Sequence, residues 1–147
     1  MEMLKLVLMG TVGAAGFAVL FCIKPKHIPF AAIGEALATL VYAIIDAAGL
    51  NLFVSNFVAT VVCVVYSNIL ARVLKTPSMV FITAAIIPLV PGGSLFYTMS
   101  SIIQGNMLSA KVYGLNTLQV ALGIAGGIVI ESLIVIIMTK LMLAKKE

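Results

Sequence analysis

The sequence predicts an all-α integral membrane protein with about five transmembrane helices, the fourth broken at a Pro-x-x-Pro-Gly-Gly motif. Three observations carry this. Of the 147 residues, 63% are hydrophobic and 10% charged, with a mean hydropathy of +1.23; a soluble domain is about half apolar and a quarter charged. The apolar residues fall in runs of about 20, the length that crosses a bilayer core. One run carries Pro88 and Pro91 with Gly92 and Gly93 behind them. Two prolines at that spacing cannot both sit inside a regular helix, because each lacks an N–H and clashes with the carbonyl one turn back.

A single transmembrane domain, 1–147, follows, with spans at about 4–23, 30–48, 52–70, 79–103 and 115–142. The first run is too long for the apolar part of a signal peptide and more spans follow it, so it reads as a retained helix. Gly10, Gly13, Ala14, Gly16 and Phe17 give it a small-residue face suited to close helix packing. Lys24-Pro25-Lys26-His27-Ile28-Pro29 is a polar turn. Span two carries Glu35, Tyr42 and Asp46, and the uncharged Gly49-Leu50-Asn51 turn ends it. Span three closes on Tyr66, Ser67, Asn68, Arg72 and Lys75. Span four has a first half at about 79–87, the break, and a second half at about 94–103 with Tyr97, Thr98, Ser100, Ser101 and Gln104. A loop with Lys111 leads to span five, which contains Gly123-x-x-x-Gly127, with Glu131 near its middle and Lys140, Lys145 and Lys146 at its end.

The net charge of +4 is no sign of nucleic-acid binding, since the basic residues are few and sit at the ends of apolar runs. Basic residues mark the cytoplasmic side. Lys24 and Lys26 follow span one, Arg72 and Lys75 follow span three, and three lysines end span five. Five crossings with the N-terminus outside and the C-terminus cytoplasmic satisfy every loop. A re-entrant fourth segment would put the last lysines outside, so a crossing broken helix is preferred.

No enzyme constellation is present. His27 is the single histidine, which leaves no His-based metal cluster, and it reads as a solvated loop residue. Cys22 and Cys63 lie in apolar runs and read as small hydrophobes. No cofactor or metal is expected. The informative groups are ionisable residues at membrane depth, where a carboxylate costs at least about 2.5–3.5 kcal/mol. Glu131 reads as a proton-coupling group, a partner for a cation, or a helix-packing hydrogen-bond donor. Glu35 and Arg72 are expected to form an intramembrane ion pair. The break is either a passive kink or a substrate site built from Pro88, Pro91, Gly92, Gly93, Ser94 and Tyr97. In the second case Gly92 and Gly93 supply unusual backbone angles, and the free N–H groups of the second half-helix read a carboxylate.

Gly16-Phe17-Ala18-Val19-Leu20-Phe21, Gly34, Ala71-Arg72 followed by Pro77, and above all Ile86-Ile87-Pro88-Leu89-Val90-Pro91-Gly92 with Tyr97 after it resemble the threonine/serine exporter (ThrE) family from about residue 4 to 140. Within it the chain is similar to the small, YjjB-like subunit of the split two-component form. The resemblance implies efflux of small carboxylate-bearing metabolites across the cytoplasmic membrane of a prokaryote, threonine and serine first, with succinate or another dicarboxylate as the alternative. It also implies a larger, YjjP-like membrane subunit as partner. A non-transporting membrane scaffold or assembly subunit, and a homo-oligomeric transporter needing no partner, are the competing expectations.

Overall fold

Local chemistry sets where each helix starts and stops. The computed structural model describes the backbone of residues 2–144 and the side chains of residues 4–137. Among the described residues there are six α-helices: α1 (Glu2–Leu20), α2 (Ile28–Ala47), α3 (Leu52–Leu74), α4 (Met79–Ile86), α5 (Gly92–Ile103) and α6 (Met107–Ala144). Short 3-10 turns at Pro25–His27 and Ile87–Leu89 precede α2 and extend α4. Pro29 sits in the first turn of α2, where a missing N–H costs nothing. The Asn51 side chain caps α3 by accepting from the Val54 N–H at 2.9 Å.

Left-handed residues close three of the helices. Cys22 (φ 54°) ends α1, and the N–H of Ile23 returns to the Ala18 carbonyl at 3.0 Å. Lys75 (φ 50°) ends α3 in the same way, with Thr76 bonded to Ala71, and Gly105 (φ 73°) ends α5, with Asn106 bonded to Ser101. This is the six-to-one closure of a Schellman cap. It stops the first helix at Leu20, three residues short of the expected end of span one.

Among the described residues, Pro25–Ala47, Leu52–Leu74 and Met107–Ile137 are long and apolar enough to cross a membrane. The pair Met79–Leu89 and Gly92–Ile103, bent by 44°, makes a fourth such segment, and Leu4–Leu20 is a shorter apolar helix. The loop expected to hold Lys111 is absent. It shrinks to Gln104-Gly105-Asn106, and Lys111 lies inside α6. Asn106 Oδ1 accepts from the Ser109 N–H at 3.2 Å and starts that helix eight residues earlier than the sequence suggested. Lysine is a good helix former with a long stem, so it interrupts nothing there. Lys145 and Lys146 lie outside the described residues, as does the Lys140 side chain.

α3 sits between α2 and α6, α1 packs on α2, α4 packs against α1, α2 and α3, and α5 lies along α6. Small residues set these approaches. A β-carbon on Gly123 would lie 2.7 Å from the Phe53 carbonyl oxygen, and one on Gly127 2.8 Å from Thr60 Cβ. The Gly-x-x-x-Gly motif therefore works as expected, bringing α6 onto the backbone of α3. Its contacts rise in step along both helices, from Phe53 with Gly123 to Asn68 with Glu131, so α3 and α6 run parallel. The α4–α5 pair accordingly carries the chain from the end where α3 finishes to the opposite end, where α6 begins.

The apolar core is made of small residues. Ala38, Cys63, Val64, Ala85, Ile86, Val120 and Ile124 form one buried cluster, and Ala18, Ala31, Ala71, Phe81 and Ala84 another. α4 belongs to both, which fixes the helix ahead of the break. His27 is not solvated. It is 4% exposed, edge-on to the Phe81 ring at 5.7 Å. The 3-10 turn that ends in His27 delivers the ring to α4 rather than to water.

Candidate functional site

The break is narrower than the motif. Ile87 keeps helical angles (φ −54°, ψ −42°) although a proline follows it, so Pro88 is absorbed into the 3-10 turn. Val90 takes the extended angles that a residue before proline prefers (φ −62°, ψ 134°). The chain leaves the helix there and re-enters one at Gly92. Gly92 and Gly93 are the first residues of α5, and neither has a positive φ. The expectation that they supply unusual backbone angles is therefore corrected: two prolines and Val90 make the break unaided.

The inside of the break borders a cavity of about 310 Å³, at the small end of ligand-pocket sizes. All the helices except α4 contribute side chains, and the 3-10 turn that extends α4 contributes too. Leu6 and Gly10 come from α1, Glu35, Thr39 and Tyr42 from α2, and Leu52 and Asn56 from α3. Pro88, Leu89 and Pro91 come from the break, Ser94 from the first turn of α5, and Val120 from α6. The first-turn N–H groups of a helix have no acceptor within it; here the Gly92 N–H returns to the Val90 carbonyl at 2.7 Å, which leaves Gly93 and Ser94 as the first-turn donors of α5, and of these Ser94 lines the cavity. The positive end of the α5 dipole lies there too.

Glu35 is the acidic residue of this wall. It is fully buried, eighth of the twenty residues of α2. Oε1 accepts from the Thr39 hydroxyl one helical turn on, and Oε2 has no hydrogen-bond partner. Gly10 makes room for this carboxylate. A β-carbon there would lie 2.7 Å from Glu35 Cδ. Three residues on, a β-carbon at Gly13 would be 3.9 Å from the Pro88 ring. The small-residue face of the first helix thus serves both the carboxylate and the break, while Gly16 has nothing within 4 Å.

The ion pair expected between Glu35 and Arg72 does not form, since Arg72 is exposed and neither oxygen of Glu35 meets a cation. Helix register explains this. α2 and α3 pack antiparallel with Gly34 on the Tyr66 ring, and the Tyr66 hydroxyl donates to the Phe30 carbonyl at 3.2 Å. Arg72 lies six residues beyond Tyr66, about 9 Å further toward the end of the bundle.

The other expected site residues are dispersed. Tyr97 is 54% exposed and faces Tyr113 of α6, ring centroids 5.4 Å apart, away from the cavity. Gly92 and Gly93 are exposed and do not line it. Glu131 is 3% exposed and accepts from Asn68 Nδ2 at 2.7 Å, joining α6 to α3. It lies eleven residues beyond Val120, about 16 Å along the helix, and does not line the cavity. Of the expected substrate set, Pro88, Pro91 and Ser94 do line it, together with Glu35.

Thr39 and Asn56 also stand on the wall and were not expected there. Thr39 had a signal, being four residues from Glu35 and so on the same helical face. Asn56 had none; its Nδ2 donates to the Leu52 carbonyl at 2.8 Å, and packing against α6 places it.

These features define an all-helical, multi-pass membrane protein with a largely apolar cavity at a helix break, in which Glu35, Thr39, Tyr42, Asn56 and Ser94 are the polar side chains, an arrangement that transporters use. The chain belongs to the threonine/serine exporter (ThrE) family, whose model matches residues 6–134. Neither the curated proteins nor the solved structures gave a match.

Proposed function

We propose that this chain is the small membrane subunit of an exporter for small carboxylate-bearing metabolites, most directly threonine and serine, acting with a larger membrane subunit of the same family. The observation that carries the reading is the cavity at the break, with a buried acidic residue on one wall and the start of α5 on another. In this reading the substrate carboxylate is held at Ser94, in the first turn of α5, the end of a helix suited to anions. Pro88 and Pro91 shape the wall and hold the helix open there.

The parallel course of α3 and α6 supports a broken helix that crosses the bilayer, since a re-entrant segment would return the chain to its starting end. The shorter α1 is then the fifth crossing. Lys24 and Lys75 line one hollow at the same end of the bundle, which supports a cytoplasmic assignment for that end. The N-terminus would be outside and the C-terminus inside.

Efflux of preloaded threonine, serine and succinate from cells carrying this chain, the larger subunit, or both tests the function. Export is expected only with both. Unchanged efflux of all three in cells carrying both subunits overturns it and leaves the scaffold reading.

A further inference from the structure

We infer that Glu35 is the acceptor for the substrate's ammonium group, so that the cavity selects a zwitterionic hydroxy amino acid and rejects dicarboxylates. This rests on the exporter reading above and specifies the chemistry of the same cavity. Four observations support it. Glu35 is fully buried yet lines the cavity. Thr39 occupies one carboxylate oxygen and nothing occupies the other. Among the described residues no Lys, Arg or His lines the same wall. Gly10 leaves the carboxylate room that any side chain at that position would take.

A buried carboxylate without a cation is costly, and an ion pair with good hydrogen bonds is the usual remedy. Here the protein provides the hydrogen bond from Thr39 and leaves the cation to come from outside. An α-amino acid brings an ammonium and a carboxylate on one carbon. The ammonium is matched by Glu35, and the carboxylate by Ser94 in the first turn of α5. Tyr42 and Asn56 are the remaining polar side chains on the wall. A dicarboxylate would instead set a second negative charge beside Glu35. Like charges in a poorly screened site repel strongly, and selection against a wrong ligand commonly works by such repulsion.

The test is ligand binding to the purified full-length chain in lipid nanodiscs, alone and with the larger subunit. The probes are L-threonine, 3-hydroxybutyrate (threonine's relative without the ammonium), succinate and N-acetyl-L-threonine. Threonine is expected to bind native protein at least about tenfold more tightly than any of the other three, the order of loss for an unmatched buried charge. Glu35→Gln is expected to lose at least about tenfold of threonine affinity, and Glu35→Asp less.

Threonine binding within twofold of native in a folded Glu35→Gln protein overturns the assignment while leaving the exporter reading intact. So does succinate or 3-hydroxybutyrate binding native protein as tightly as threonine. That arm needs no variant, so it stands even if Glu35→Gln fails to fold. A native chain that binds none of the four probes, with or without the larger subunit, overturns the exporter reading and this assignment with it.

Discussion

Gly10 lies directly against Glu35, the first helix giving up a side chain so that a carboxylate on the second can be buried. A β-carbon on Gly10 would come within 2.8 Å of Glu35 Oε2. Overpacking of this kind costs about 1–3 kcal/mol. Gly10→Val is therefore expected to push Glu35 from its position and lower threonine efflux severalfold or more, while Gly16→Val, with open space around it, leaves efflux unchanged. Efflux assays beside immunodetection of the membrane-inserted chain check the pair; equal efflux in both variants would show that the contact is not needed.

Substitutions at Gly92 and Gly93 should be mild. Both are exposed and begin a helix, and a β-carbon added at either would meet nothing within 4 Å. Alanine is a better helix former than glycine by about 1 kcal/mol and keeps the N–H. Gly92→Ala and Gly93→Ala are expected to retain export and to raise the melting temperature slightly. Loss of export in either would mean that glycine has a role there that backbone angles do not explain.

Gly123 and Gly127 are the opposite case. A side chain at either meets the α3 backbone, at 2.7 Å from the Phe53 oxygen or 3.0 Å from the Phe57 oxygen, and backbone cannot move aside as a flexible side chain can. Gly127→Leu is expected to separate α6 from α3 and to abolish folded protein. Fluorescence-detected size-exclusion of a tagged chain reads this out, and a monodisperse native-like peak would contradict the packing.

Glu131 accepts a hydrogen bond from Asn68, which a glutamine oxygen can also accept. Glu131→Gln is expected to keep both stability and the pH dependence of efflux. Glu131→Leu should cost about 0.6 kcal/mol, and up to about 1.7, the range for hydrogen bonds between membrane helices. A changed pH profile in Glu131→Gln would restore the proton-coupling role.

Topology can be read by labelling. In a background lacking Cys22 and Cys63, a Lys146→Cys chain in intact cells should resist a membrane-impermeant thiol reagent, and an Asn51→Cys chain should react. External labelling of residue 146 would reverse the orientation.

Much of the fold was legible because lipid leaves the backbone few options. Runs of apolar residues had to be helices, and Gly123 and Gly127 announced a close approach that the structure shows. Boundaries were less legible where a charged residue suggests a loop. Lys111 sits within α6 because Asn106 caps the helix upstream, a local bond that outweighs one charged side chain. The lining of the candidate site was half legible. Pro88, Pro91 and Ser94 were marked by their backbone chemistry, and Glu35 by its depth. That Glu35 faces Gly10 rather than Arg72 depends on the register of three packed helices, which no single segment encodes. The burial of His27 against Phe81 was hidden for the same reason.

Proline rings lock φ at positions 88 and 91, and the α4 end is held by buried Phe81, Ala84, Ala85 and Ile86. Between the rings only Leu89 and Val90 have no torsion locked by a ring, although Pro91 holds Val90 toward extended angles, and Val90 is 53% exposed. If α5 swings relative to α4 as the cavity changes which side it faces, Leu89 and Val90 form the pivot. The stiff link then acts as a lever arm: a modest rotation at two ordinary residues moves the start of α5 toward or away from Glu35.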